Sequence, residues 1–300
     1  MHKKSINTVL DYIENHLEDD LSLKTLAAIA NYSTFHFHRI FKESTNQTVN
    51  KYVSRKRIEK AAAILLRNPE VSISDLSLQN HFTSNSSFTR AFKNVYGISP
   101  TKFRKHGKGK YSKIRQVKSK SGQVEREFQS YVCSSNNKQM NEKIKVISQT
   151  EMHFACLNFI GMHNSETTFN ELMAWAGMRG LLRHDAFKMA TIFYDSLKIT
   201  APEQVRMKAG ILINKPFKTA EGISIVTFPK GNYIKGHFEI NLNAFEQSWT
   251  SMFMFMNHKG YEKSEQPAFQ LHYNDFKKHP EQKCIVDLYV PITTVKRIFD

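Results

Sequence analysis

The sequence contains few cysteines and no long apolar run, and each scarcity excludes a class of protein. Its three cysteines, Cys133, Cys156 and Cys284, are far apart and form no C-x-x-C pair. This pattern excludes a disulfide framework and a cysteine zinc site, and we expect reduced thiols. No segment reaches the roughly 18 to 20 apolar residues of a membrane span, and the start MHKKSINTVL lacks a signal-peptide core. The sequence therefore predicts a cytoplasmic protein without a membrane partner.

The charge of the chain is strongly basic and unevenly distributed. Its 300 residues are 40% apolar, which describes a globular protein long enough for two domains, and the net charge is +16. Residues 1–105 carry 16 Lys/Arg against 9 Asp/Glu, residues 106–145 carry 10 against 3, and residues 146–300 carry 17 against 15. This asymmetry indicates a polyanion partner, with nucleic acid expected ahead of an anionic membrane surface. A basic face that only keeps the protein soluble is the alternative.

Residues 1–105 have the sequence pattern of an all-helical domain. Apolar residues recur at helical spacing, and glycine and proline are scarce before Gly97 and Pro100. We predict six helices, including a long fourth one over 50–67 that ends before the Asn68-Pro69 step. Ser22 is predicted to cap the second helix, and Ser72 with Asp75 predicts a capping box for the fifth. Gly97 and the Ser99-Pro100 step are predicted to close the sixth.

Two further regions follow the helical one. Residues 106–145 are rich in Ser, Lys, Asn and Gln and predict a basic linker with little packed structure. Residues 146–300 combine short β-prone runs with two amphipathic helical stretches, which predicts an α+β domain of two β-α-β-β halves. The predicted elements of the halves are 153–160, 168–179, 189–194 and 206–213, followed by 231–239, 243–258, 267–273 and 283–291.

A repeated motif gives the helical domain its functional interpretation. The pattern F-x-R-x-F-K occurs at 37–42 and again at 88–93, each time after a short helix with a leucine core. Helix, tight turn and longer helix make a helix-turn-helix, and the phenylalanines four residues apart are predicted to face the core. The other face of each longer helix is polar and basic, and it carries our predicted DNA contacts: Phe35, His38, Arg39, Lys42, Asn85, Ser86, Thr89, Arg90 and Lys93.

The length of the predicted helix 50–67 agrees with binding of one chain to two adjacent major grooves of double-stranded DNA. Eighteen residues span about 27 Å, close to the roughly 34 Å between consecutive major grooves on one face of B-DNA. The expected fold class is therefore multidomain, with an all-α tandem helix-turn-helix domain followed by the α+β domain.

Residues 5–104 resemble the tandem helix-turn-helix domain of AraC/XylS-type transcription regulators. The resemblance rests on SLKTLAAIANYSTFHFHRIFKEST and FTSNSSFTRAFKNVYGISPTKFR. It implies that Phe35, His38 and Arg39 face bases in one groove and Asn85, Ser86 and Arg90 in the next, while Lys42, Lys93 and Lys102 are expected to contact phosphates. The chain departs from the family at its turns, with Asn46 and His81 in place of Gly and Ser77 in place of Ala. We expect His81 to distort or weaken the second unit.

Residues 146–300 resemble the GyrI-like effector-binding domain, through segments such as FPKGNYIKGHFE and QPAFQLHYND. The resemblance implies a groove between the two halves, lined by aromatic residues, that in the family usually holds one buried Glu. Here Gln270 takes the place of that Glu and His272 that of the following Tyr. The expected ligand is a small aromatic or lipophilic molecule, and its expected contacts are Trp175, Tyr194, Tyr233, Phe238, Glu239, Gln270, His272 and Tyr289.

Two other functions remain open for this second domain. Some GyrI-like proteins are hydrolases, but Gln270 cannot exchange a proton. His272, Glu239 or His237 could do so, yet no nucleophile and base stand at a recognisable spacing. The domain could instead bind a protein such as RNA polymerase and take no small molecule. The histidines form no H-x-x-x-H or H-E-x-x-H pair on a predicted helix. We therefore expect a regulator that is not an enzyme and has no metal or cofactor.

Overall fold

The computed structural model describes residues 2–67, 70–106, 143–183, 187–219 and 222–293. The chain divides into two compact units, and the first holds the N-terminal helices together with the short segment Ser196–Gln204. The second unit holds the rest of the C-terminal part. The predicted break at Asn68-Pro69, Cys133 and residues 107–142 of the predicted linker lie outside the described residues.

The N-terminal unit consists of helices, as its sequence predicts, with one more than expected. Pro100 does not end the helical region but begins a seventh helix, since proline is tolerated at the first helical position. The backbone N–H of Lys102 donates to Ser99 Oγ at 3.3 Å and caps this helix. The helices are α1 (His2–Asn15), α2 (Leu23–Ile29), α3 (Thr34–Thr45), α4 (Val49–Arg67), α5 (Ile73–Gln79), α6 (Asn85–Tyr96) and α7 (Pro100–His106).

The two helix-turn-helix units close their turns in the same way. The N–H of Tyr32 donates to Ala27 O and the N–H of Phe82 donates to Ser77 O, each at 3.0 Å. Both turns need one residue in the left-handed region, Asn31 at φ 57° and His81 at φ 58°. His81 therefore has the conformation for which glycine is usual, at a conformational cost, and the second unit keeps its fold.

The helix caps confirm the predicted boundaries, but the capping box predicted for Ser72 and Asp75 is found at α6 and not at α5. Ser22 caps α2, and the left-handed Asn46 and Gly97 end α3 and α6. Ser72 caps α5 through the N–H groups of residues 74 and 75. The reciprocal capping box lies at α6, where Ser84 and Ser87 each accept from the other's backbone N–H.

Helix α4 is the central element of the N-terminal unit, since it contacts α3, α6 and α7. Its buried apolar residues include Tyr52, Ile58 and Leu65. One face also buries a set of charged groups. Arg55 Nη1 lies 2.7 Å from Glu59 Oε1, and Lys56 Nζ lies 2.9 Å from Glu14 Oε1 on α1.

The C-terminal unit is an antiparallel sheet with two helices. Its predicted strands and helices are confirmed within a few residues. The strands are β1 (Ile144–Gln149), β2 (Met152–Ile160), β3 (Met189–Phe193), β4 (Arg206–Ile213), β5 (Ser224–Phe228), β6 (Gly231–Ile240), β7 (Glu262–Lys263), β8 (Ala268–His272) and β9 (Cys284–Thr293), and the helices are α8 (Ser165–Met178) and α9 (Phe245–His258). Strand β1 begins at Ile144, so residues 144 and 145, which we assigned to the linker, belong to the sheet.

The strand order β1-β6-β9-β8-β3-β4-β2-β5 describes a curled sheet, with β7 added to β9. Strands β1 and β2 lie at or near opposite ends of this order, yet only Thr150 and Glu151 separate them in sequence. Strand pair β1–β6 and strand pair β2–β5 also share one antiparallel register, from Ile144 opposite Gly236 to Cys156 opposite Ser224. Residues 144–156 and 224–236 therefore run alongside each other in one register, which brings the two ends of the sheet together.

The halves β2-α8-β3-β4 and β6-α9-β8-β9 meet where β3 pairs with β8, and Thr191 lies opposite Gln270 at this junction. Alternate residues of the strands face opposite sides of the sheet. On one side α9 packs on Ile234, Phe238 and Leu288. We call this side the helix face. The opposite side buries an aromatic cluster that contains Phe154, Phe269 and Tyr289.

Candidate DNA-binding surface and ligand groove

Helix α3 buries one side and exposes the side predicted to read DNA. Phe37, Ile40 and Phe41 are buried, and Ser33 caps the start of the helix. Phe35 is 84% exposed, which is unusual for a phenylalanine without a partner surface. Arg39 and Lys42 are exposed and His38 is half-buried on the same outer side of the helix.

Helix α6 repeats this arrangement. Phe88, Phe92 and Tyr96 are buried, and the outer side forms an open surface groove lined by Asn85, Ser86, Thr89, Arg90 and Lys93. These are the five residues that the sequence predicts as contacts of the second helix. The Asn85 side-chain amide donates to Ser74 Oγ at 2.7 Å, which fixes its orientation.

The charges on both outer sides are available to a ligand. Within the described part of the chain, Arg39, Lys42, Arg90 and Lys93 form no ion pair with a carboxylate. Unpaired guanidinium and ammonium groups beside exposed amide and hydroxyl groups have the chemistry needed to contact phosphates and base edges.

A second candidate site lies on the helix face at the junction of the two halves. Thr191 and Gln270 form its floor, and both side chains are more than 90% buried. His272 Nε2 lies 3.2 Å from Gln270 Nε2 and 3.3 Å from Thr191 Oγ1. Burial lowers the pKa of His272 to about 4, so its imidazole is neutral at physiological pH.

The walls of this floor are aromatic and come from both helices. The ring of Phe169 on α8 stands edge-on to His272, with ring centroids 6.3 Å apart. The ring of Trp249 on α9 stands edge-on to Phe193, which is two residues from Thr191 on β3, at 5.5 Å. We call the region between Phe169 and Trp249, above Thr191 and Gln270, the groove.

Comparison with known proteins identifies both parts of the chain. The model of the GyrI-like small molecule binding domain matches residues 142–293, which is half of the chain. The chain belongs to the GyrI-like family. A helix-turn-helix domain model matches residues 26–106, and this N-terminal domain is of the AraC type.

Named relatives are similar to only part of the chain. The chain is 30% identical over 136 residues to the HTH-type transcriptional regulator YbfP of Bacillus subtilis, covering 45% of this chain and 44% of that protein. It is 38% identical over 100 residues to the right origin-binding protein of Escherichia coli, covering 33% and 34%. The chain therefore spans less than half the length of either relative. The C-terminal domain of EcmrR matches with a TM-score of 0.41 at 10% identity, covering 51% of this chain and 98% of that one.

The GyrI-like domain does not bring the eight predicted effector residues together. Gln270 and His272 lie in the groove, and Phe238 lies on the same face but is packed under α9. Tyr233 and Tyr289 belong to the aromatic cluster on the opposite face, and Tyr194 packs against it. Strand alternation explains this result, since Tyr289 pairs with Phe269 and not with Gln270.

Two further predicted residues, Trp175 and Glu239, also lie outside the groove. Successive helical residues turn by about 100°, so Phe169 and Trp175 lie about 60° to either side of the buried Leu172. Trp175 thus faces away from the groove, and its ring stacks on Phe217. Glu239 Oε1 lies 3.4 Å from Lys283 Nζ on the face opposite the groove.

The GyrI-like domain also holds a polar cluster that sequence reasoning missed. Asp287 has a side chain only 1% exposed, with Lys235 Nζ at 2.8 Å and His237 Nδ1 at 2.6 Å, and it also accepts from the Tyr273 hydroxyl. Burial opposes ionisation of Asp287, but these donors outweigh it and hold the pKa of the carboxyl below its usual value. Lys235 and His237 are two residues apart on one strand and therefore share a face. This spacing was the sequence signal from which the polar cluster could have been predicted.

The remaining chemistry of the described residues is limited. No group of three or more His, Cys, Asp or Glu side chains among them could hold a metal ion. Cys156 and Cys284 are free and buried, and burial raises the pKa of Cys156 to about 12. Within the same residues, no helix is both long and apolar enough to cross a membrane.

Proposed function

We propose that this protein is a sequence-specific DNA-binding transcription regulator whose C-terminal domain binds a small lipophilic or aromatic effector. The observation that carries the proposal is the repeated outer surface of α3 and α6. Both helices bury phenylalanines four residues apart and expose an arginine and a lysine at equivalent positions, Arg39 with Lys42 and Arg90 with Lys93. Two recognition helices that expose the same residue types on one chain fit two major grooves of one duplex.

The length and the contacts of helix α4 support binding to two adjacent major grooves. Its 19 residues make a rod of about 28 Å, and it contacts both α3 and α6. A rigid connection of this length is compatible with recognition helices placed about one turn of B-DNA apart.

The test is footprinting of the full chain on a site selected from random duplexes. We expect two protected major-groove segments about 10 base pairs apart. Arg39→Ala and Arg90→Ala should each cost about 1 to 3 kcal/mol on the selected site and much less on random DNA. Each variant should relax base preference in one segment only.

Lys230→Ala is the matched control, because it removes one exposed positive charge from the C-terminal domain. It should leave base preference unchanged. Equal losses on selected and random DNA for both arginine variants would mean that the arginines contact phosphate alone, and a single protected segment would contradict the two-groove arrangement.

For the C-terminal domain we propose ligand binding without chemical conversion. Gln270 and Thr191 offer no acid or base, and an imidazole with a pKa of about 4 is a weak base near neutral pH. A thermal-shift screen of lipophilic cations and neutral aromatic compounds tests this proposal, since a ligand at 100 times its Kd adds about 2.7 kcal/mol to the stability of its domain. If no compound stabilises the domain, the alternative of a protein-interaction module, with RNA polymerase as one partner, takes its place.

A further inference from the structure

The core of the N-terminal unit includes a segment from the C-terminal half of the sequence. Residues Ser196–Gln204 lie between β3 and β4, yet they group with the N-terminal helices and not with the sheet. Within this unit, Ile199 packs on the cluster of buried residues that contains Phe92, Tyr96 and Phe103. The N-terminal helices alone therefore do not supply the whole core of the unit.

The hydroxyl group of Tyr96 depends on this segment for its hydrogen bond. Tyr96 is the last residue of α6 and is 3% exposed. Its hydroxyl donates to the backbone oxygen of Ile199 at 3.3 Å, and the described residues offer it no other hydrogen-bond partner. Burial raises the pKa of Tyr96, so the group stays a protonated donor. A buried tyrosine hydroxyl normally has an acceptor, and here the acceptor comes from the segment.

The segment has an ordered conformation of its own. Ser196 O accepts from the backbone N–H groups of Ile199 and Thr200, at 3.0 and 2.8 Å. Next to the ends of the segment, Arg206 Nη2 lies 3.0 Å from Asp195 Oδ1, and both side chains of this ion pair are more than 90% buried. Because the turn is already ordered, packing of Ile199 on the helices costs little additional conformational entropy.

The contact involves the buried side of a helix whose outer side carries predicted DNA contacts. Helix α6 exposes Arg90 on its outer side, and Phe92 and Tyr96 are buried. The positions of side chains around a helix are fixed by its period. The packing of the buried side therefore sets the direction in which Arg90 points.

We propose that Ser196–Gln204 completes the core of the second helix-turn-helix unit and positions α6 for its major groove. Ile199 is a positioning residue, because it contacts the buried side of α6 and not the DNA. The GyrI-like part of the sequence then contributes to DNA binding as well as to ligand binding. This inference rests on the proposed function for the role of α6 in reading DNA, whereas the packing can be tested without DNA.

Hydrogen exchange of the full chain tests the packing. Ile199→Asp should speed exchange of the α6 and α7 amides by about 5- to 30-fold, the factor expected when a partly buried apolar side chain loses its contacts. Tyr96→Phe removes only the hydroxyl and should speed the same amides by about 2- to 10-fold. Helices α1 to α3 should exchange as before. Glu203→Ala, at an exposed position of the same segment, should leave exchange unchanged.

Footprinting on the selected duplex tests the positioning role. Ile199→Asp should relax base preference in the DNA segment that contacts α6 and leave the segment that contacts α3 protected. Ile199→Val should restore the preference, because it keeps most of the apolar side chain.

The outcomes separate this inference from the function on which it rests. Unchanged exchange of α6 in both Ile199→Asp and Tyr96→Phe would overturn the proposal. Faster exchange with unchanged base preference would overturn the positioning role, since the segment would then support only the fold. If the unmodified chain protects no DNA, the proposed function fails, and hydrogen exchange still decides whether the segment completes the core.

Discussion

At the scale of single residues, the absence of a negative charge on the groove floor decides which ligands the C-terminal domain can hold. We predict that Gln270→Glu raises affinity for a lipophilic cation such as tetraphenylphosphonium. An ion pair at 4 Å and an effective dielectric constant near 20 is worth about 4 kcal/mol before desolvation is subtracted. Neutral aromatic ligands should bind as before or slightly more weakly, because the new carboxylate must lose its water.

Isothermal titration of both proteins with the cation and a neutral aromatic compound of similar size measures this effect. Tight binding of the cation by the unmodified protein would contradict the prediction and would show that another acidic group serves the site.

A second prediction at the scale of single residues concerns His272 and the pH dependence of folding stability. Its pKa is near 4 in the folded protein, against an ordinary value of 6.5. Between these values the unfolded chain binds more protons than the folded one, so folding stability falls as the pH drops from about 6.5 to about 4. The full effect is on the order of 3 kcal/mol at 1.36 kcal/mol per pKa unit.

Urea unfolding of the C-terminal domain at pH 7 and pH 4.5 measures this loss, and His272→Gln is the comparison. The variant should lose less stability between these pH values than the unmodified protein. The same loss in both would mean that other groups cause it.

The groove residues show how much of the candidate ligand site could be predicted from the sequence. Gln270 and His272 could be placed together because a recognisable motif surrounds them, whereas the three tyrosines expected beside them lie on the opposite face of the sheet. A strand pattern shows which residues share a side but does not show which side meets a helix when both sides are apolar. Here Tyr289 and Leu288 are both buried, on opposite faces, so hydrophobicity alone could not distinguish them.

At the scale of elements, the buried charges of α4 give the N-terminal unit a vulnerable point. Glu59 faces Arg55 and Lys56, and Arg55 Nε also donates to Gln47 Oε1 at 3.2 Å. We predict that Glu59→Gln destabilises this unit by about 3 to 5 kcal/mol, because removing one partner leaves buried charges uncompensated. DNA affinity should fall in parallel on selected and random sequences.

Circular dichroism during heating measures this stability, and Glu18→Gln is the matched control. Glu18 pairs with Lys60 of α4 at 2.6 Å, but both side chains are exposed, and exposed pairs contribute little. Comparable losses in the two variants would contradict the distinction between buried and exposed pairs.

Turns were the least readable part of the helical region. The sequence indicated left-handed backbone at Asn46, and it singled out His81 as a misfit because glycine is usual there. The equivalent position in the first unit, Asn31, has φ 57° and was not anticipated, since asparagine occurs in many backbone conformations. Helices themselves were well predicted, because apolar spacing of three and four residues is a strong local signal.

At the scale of the whole molecule, the curl of the sheet could not have been read from the sequence. The curl depends on two strand pairs, β1 with β6 and β2 with β5, which share one register over residues 144–156. Such pairing joins segments about 70 to 90 residues apart, and no local pattern encodes it. The order of strands and helices within each half was nevertheless correct, because each run is bounded by turn residues.

The distribution of charge along the whole chain leads to the last prediction. Residues 107–142 contain eight Lys/Arg and three Asp/Glu, and we expect these positive charges to add non-specific DNA affinity. Replacing the eight basic residues with glutamine should weaken binding to any duplex at low salt and make the slope of log K against log salt shallower, by about 0.9 for each phosphate that is no longer neutralised. Base preference should remain, because α3 and α6 are unchanged. Fluorescence anisotropy over a salt series, with selected and random duplexes, distinguishes this from a role in solubility alone, for which both affinity and slope would stay the same.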